Sequence, residues 1–77
     1  MQAYVLIECL PGRAATVLKT VKKIKGVDCA EAVTGPYDII AYVDYKDQDA
    51  LGDIVVRKIQ SHKGVVKTVT CLVVGLR

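Results

Sequence analysis

The sequence predicts an α+β fold: a four-stranded antiparallel sheet with two helices on one of its faces. Three observations predict it. Short runs rich in Val, Ile and Leu end at Gly and Pro signals, two intervening stretches place apolar residues three and four apart, and the chain repeats itself. Lys25-Gly26-Val27 and Lys63-Gly64-Val65 hold the same place in each half, after a strand and a helix and before a strand.

Ala3 to Leu10 reads as the first strand, closed by Pro11-Gly12. From Arg13 to Lys25, Ala14, Val17, Leu18, Val21 and Ile24 form one apolar stripe, with Arg13, Lys19, Lys22 and Lys23 opposite it. Lysines crowd its last turn, where the helix dipole favours cations, and Gly26 stands at the expected left-handed cap. Val27 to Thr34 and Asp38 to Tyr45 read as the second and third strands. The second, with Asp28, Glu31 and few large residues, looks like an edge. The next helix opens on the carboxylates Asp47, Asp49 and Asp53, continues through Leu51, Ile54, Val55 and Ile59, and finishes with Lys58, His62 and Lys63 before Gly64. Val65 to Val74 is the last strand. The order β-α-β-β-α-β is the ferredoxin-like, or split βαβ, plan, and right-handed crossovers put both helices on the same face.

Seventy-seven residues are expected to make one domain, 1–77, burying roughly 60% of its unfolded surface. Apolar residues make up 52% of the chain, yet it has no Phe or Trp and only four Tyr, so the core must be aliphatic. The net charge of +3 permits an acidic partner without arguing for nucleic acid. No uncharged run approaches the roughly 18 residues of a membrane span. The first residues reach Glu8 without the basic start of a signal peptide, so the expected location is the cytoplasm. Cys9, Cys29 and Cys71 are odd in number and far apart, with no CxxC or Cys/His spacing; they read as reduced, buried small hydrophobes, with no metal site or cofactor expected.

With both helices on one side, the other sheet face should alternate apolar with polar. It does not. Ala3, Val5, Ile7 and Cys9 oppose Tyr4, Leu6 and Leu10, with Glu8 the exception; Ile39, Ala41 and Val43 oppose Ile40, Tyr42 and Asp44; and Val65, Val69, Cys71 and Val73 oppose Val66, Leu72 and Val74. A patch of several hundred Å² would face water in a monomer. Only three residues follow the last strand, so no tail is expected to cover it. The reading is an isologous homodimer, packed sheet to sheet through Tyr4, Leu6, Ile40, Tyr42, Leu72 and Val74.

The hairpin between the second and third strands carries Thr34-Gly35-Pro36-Tyr37-Asp38. Gly35 frees the backbone, Pro36 fixes φ, and Asp38 sets a carboxylate beside the turn. A zwitterion could use both the backbone donors and the carboxylate. An Asx turn at Asp38, backbone geometry alone at Gly35, and ordinary strand preference at Thr68 and Thr70 are the competing explanations.

Over nearly its whole length the chain resembles the effector-binding module, called RAM for regulation of amino-acid metabolism, of the Lrp/AsnC (feast/famine) transcription regulators. The resemblance is carried by Ala3-Tyr4-Val5-Leu6-Ile7, Pro11-Gly12, Val27, Val33-Thr34-Gly35-Pro36-Tyr37-Asp38 and Val69-Thr70, the Thr-Gly-x-Tyr-Asp stretch being its most specific part. It implies dimers that pair through their sheets and often assemble into octamers, and amino-acid effectors bound where dimers meet. Carried over residue by residue, it implies Thr34 as part of the ligand-binding hairpin, Gly35 and Tyr37 as backbone-donor and shape positions, Asp38 as the partner of an α-ammonium, and Thr68 and Thr70 as hydroxyl partners. Full regulators of the family also carry a helix-turn-helix domain ahead of this module, whereas this chain opens at the first strand. Direct specific DNA binding is therefore not expected; the implied role is a stand-alone sensor, or a partner of full-length regulators in mixed oligomers.

Other uses of the same element order fit less well. Monooxygenases and isomerases of dimeric ferredoxin-like build need a poised acid, base or nucleophile, and the one histidine, His62, sits at a helix end. RNA-recognition modules stack bases on central-strand aromatics, for which Tyr42 alone is too little. Metallochaperones need paired cysteines in the first loop, where Pro11-Gly12 has none. A ligand-independent structural adaptor shares every feature above.

Overall fold

Alternating aliphatic residues make the sheet, and the computed structural model, which describes residues 1–76, orders its strands β2-β3-β1-β4. β1 spans Gln2–Cys9, β2 Val27–Ala32, β3 Ile39–Asp44 and β4 Val65–Leu72, all paired antiparallel. β2 and β4 are the edges, so the acidic edge expected of the second strand is in place. The fold is the ferredoxin-like α+β sandwich that the periodicities predict.

Helix α1, Ala14–Lys22, buries Val17 and Val21 completely or nearly so against the sheet, with Ala14, Leu18 and Ile24 packed around them. It is shorter than Arg13–Lys25. Lys23 and Ile24 donate back three residues, to Thr20 and Val21, tightening the end into turns before Gly26 reverses the chain at φ +101°.

The second helix departs further. Helix α2 covers only Gln48–Gly52, and the chain then widens into a π-helical segment, Asp53–Ile59, that ends short of Lys63. Residues five apart diverge around an α-helix, whereas i→i+5 closure brings Ile54 and Ile59 to one side, both buried. The Asp53–Lys58 ion pair, also five apart, spans the same turn at 3.5 Å. Asp47 caps α2 by accepting from Ala50 N–H at 2.8 Å.

The core lies between helices and sheet: Ala3, Val5 and Ile7 of β1, Ile39, Ala41 and Val43 of β3, and Ile54 and Ile59 above them. No helix among the described residues is long and apolar enough to cross a membrane.

One irregularity rearranges the sheet. Glu8 pairs with Lys67 but Cys9 with Val65, leaving Val66 as an extra residue in β4. A bulge of one residue flips every side chain beyond it. Val65 therefore shares Cys9's helix-bearing face, while Val69 and Cys71 stand opposite Leu6 and Tyr4 on the helix-free face. Leu72 pairs with Ala3 on the helix side and Val74 lies past the strand, which corrects their expected place on the free face. Cys29 and Cys71 are likewise exposed, and only Cys9 is buried as expected of all three.

The strand directions put the hairpin, the β1–α1 turn and the turn before β4 at one end of the sheet. Met1, the β3–α2 turn and the exit from β4 lie at the other, where Val73 N–H donates to Gln2 carbonyl.

Candidate ligand-binding site

Thr34, Gly35 and Pro36 form an exposed loop, with Tyr37 and Asp38 half-buried beneath it. Gly35 sits at φ +140° with open space where a Cβ would point, so backbone conformation rather than crowding selects glycine.

Asp38 holds the loop on the sheet. Its carbonyl accepts from Val33 N–H at 2.8 Å, its N–H donates to Ile7 carbonyl at 2.9 Å, and its Oδ2 accepts from Cys9 N–H at 2.7 Å. The carboxylate thus continues the β1–β3 ladder beyond Ile39, where a backbone carbonyl would otherwise be needed. This differs from the Asx turn, in which the side chain would bond its own loop. The thiol of Cys9 is pushed above its ordinary range, first by burial and then by the nearby Asp38 charge.

The threonines lie elsewhere. Thr68 is opposite Ile7 on the far side of β1, two strand spacings or roughly 10 Å from the hairpin row. Its hydroxyl accepts from Gln60 Nε2 at 2.7 Å. Thr70 lines a shallow apolar groove of about 290 Å³ with Leu51, Val55, Val56 and Leu72. Within one chain, the hairpin and the threonines do not converge on a shared cavity.

Tyr4, Leu6, Ile40 and Tyr42 share the helix-free face. The Tyr4 and Tyr42 rings lie 4.9 Å apart at 53°. Loss of solvent, then the neighbouring Tyr4, Asp28 and Asp44, push the Tyr42 phenol above its ordinary range. Val69 and Cys71 complete this group, and Gln2, Glu8, Glu31, Asp44 and Lys67 surround it. Sequence periodicity missed Val69 and Cys71; Lys67, the charge that follows the Val65-Val66 doublet, was the trace of the bulge.

A family model described as the Lrp/AsnC ligand binding domain matches residues 2–75. This chain belongs to that family. The Lrp/AsnC ligand-binding domain is regulatory in kind rather than enzymatic. Among solved structures, the chain is similar to TTHA0845 from Thermus thermophilus, with TM-score 0.93 and 34% identity over 99% of this chain and 95% of that one. It shares its fold with Escherichia coli AsnC, with TM-score 0.89 and 24% identity over 97% of this chain and 51% of that regulator. A Neisseria meningitidis transcriptional regulator, NMB0573, solved as an L-Met complex, has TM-score 0.85 and 24% identity over 96% of this chain and 49% of that protein. The chain thus spans about half the length of these two regulators. No curated protein sequence matches it significantly.

Proposed function

We propose that the chain, as one domain over residues 1–77, is a cytoplasmic amino-acid-binding and oligomerising module that modulates transcription through protein partners. The carrying observation is the hairpin. Asp38 anchors it to β1 with Oδ2, while Thr34 to Pro36 stay exposed and the carboxylate's Oδ1 has no protein hydrogen bond among the described residues. That oxygen is available to an α-ammonium, and the loop's backbone donors to an α-carboxylate. The L-Met complex of the Neisseria regulator supports an amino-acid ligand. Because the hairpin and Thr68 and Thr70 do not converge in one chain, the pocket is completed by a second dimer, as in an octamer. Full-length Lrp/AsnC regulators are the partners that fit this reading.

The test is a thermal-shift panel of free amino acids. A ligand at 100 times its Kd raises stability by roughly 2.7 kcal/mol per site, so a selective rise for one or a few amino acids is expected. Asp38→Asn keeps an oxygen for Cys9 N–H and removes the charge; it should keep its melting point and lose the ligand response. A flat panel refutes the sensor and leaves a ligand-independent adaptor.

A further inference from the structure

At the end of the sheet opposite the hairpin, a cavity of about 320 Å³ opens between three segments: the turn after α1, the turn after β3, and the π-helical segment. Lys25, Lys46 and Lys58 line it, one lysine from each segment. The Lys25-Gly26 pair is the repeated motif to which the hairpin reading gives no role. At φ +101°, Gly26 takes a conformation L side chains rarely adopt, and a Cβ there would lie 2.7 Å from Ile54 Cδ1. The glycine therefore lets the α1–β2 turn close down on Ile54, which lines the cavity with Ala50.

The charges do not cancel. Asp44 lies 3.5 Å from the Met1 ammonium, and Asp53 lies 3.5 Å from Lys58 Nζ and 3.8 Å from Arg57 Nε. Both carboxylates lining the cavity are thus already paired, whereas Lys25 and Lys46 have no salt-bridge partner among the described residues. Tyr45 adds a hydroxyl donor. It is only 8% exposed, its hydroxyl makes no side-chain hydrogen bond among the described residues, and no buried side-chain oxygen there is left unsatisfied. The hydroxyl therefore keeps some solvent contact, and Tyr45 is among the residues lining the cavity.

We infer that this cavity is a second ligand site, separate from the hairpin, for a small phosphomonoester: Lys25 and Lys46 hold the phosphate, Tyr45 donates to it, and Ile54 and Ala50 receive the organic part. Compact ammonium groups suit a phosphate as point charges, and an apolar wall with a few convergent polar groups suits a small organic body. A ligand here bridges the ends of α1, β3 and the π-helical segment.

The test is a titration of the ¹⁵N-labelled chain with glycerol 3-phosphate, followed by amide chemical shifts, with sodium chloride at matched ionic strength as reference. Saturable shifts centred on Gly26, Lys46 and Ala50 are expected, with Gly35 and Asp38 unmoved. The double variant Lys25→Gln/Lys46→Gln, on exposed positions that do not threaten folding, should bind at least tenfold more weakly. Shifts equal to those in chloride, saturable shifts centred elsewhere, or unweakened binding by the double variant would each overturn the site.

Discussion

Asp38 illustrates how one side chain can serve two ends. Its sequence context pointed to a carboxylate at a turn, and both an Asx turn and a ligand partner matched it; the bond to Cys9 N–H depends on β1 arriving alongside, which no local pattern encodes. Cys9 carries a consequence of the same contact. Its thiol is held protonated in the folded chain by burial and by Asp38, so the folded state binds that proton more tightly than the unfolded chain. The stability this contributes is present below the ordinary thiol value of 9.0 and is lost as pH climbs through the raised folded value. Urea denaturation between pH 8 and 11 should show a steeper alkaline decline in the wild type than in Cys9→Ala. Equal slopes would mean the thiol's environment is not as described.

At the level of elements, period and punctuation made every strand and helix legible, with errors at their ends and in two irregularities. The second helix shows why. Leu51, Ile54, Val55 and Ile59 announced a helix with the correct buried face, but whether its backbone closes i→i+4 or i→i+5 depends on aligning Ile54 and Ile59 over the sheet, a tertiary demand. The bulge at Val66 is of the same kind: one unpaired residue reversed the facing of β4 and exchanged Leu72 for Val69 and Cys71 on the free face. Helix initiation, by contrast, is local. Asp47→Ala removes the acceptor for Ala50 N–H and should cost about 1 kcal/mol in a denaturant midpoint experiment, with Asp47→Asn restoring most of it. No loss would indicate that packing of Ile54 and Ile59 alone positions this segment.

For the whole molecule, the free sheet face is the feature that calls for a partner. Tyr4, Leu6, Ile40, Tyr42, Val69 and Cys71 form an apolar centre inside a polar surround, the pattern of a protein interface. Leu6→Asp places a charge at that centre, between Ile40 and Val69. Sedimentation should find a two-chain mass for the wild type at micromolar concentration and a one-chain mass for Leu6→Asp with unchanged circular dichroism; a wild-type mass of one chain would refute the dimer. The strand directions also have a practical consequence. Met1 and the exit from β4 leave the sheet together, at the lysine-lined end. Tethering the protein to a sensor chip through Met1 would hold that end against the matrix and point the hairpin outward. Immobilised protein would thus report amino-acid capture with the loop unobstructed, while the phosphate cavity, crowded by the linker, is better measured on untagged material in free solution.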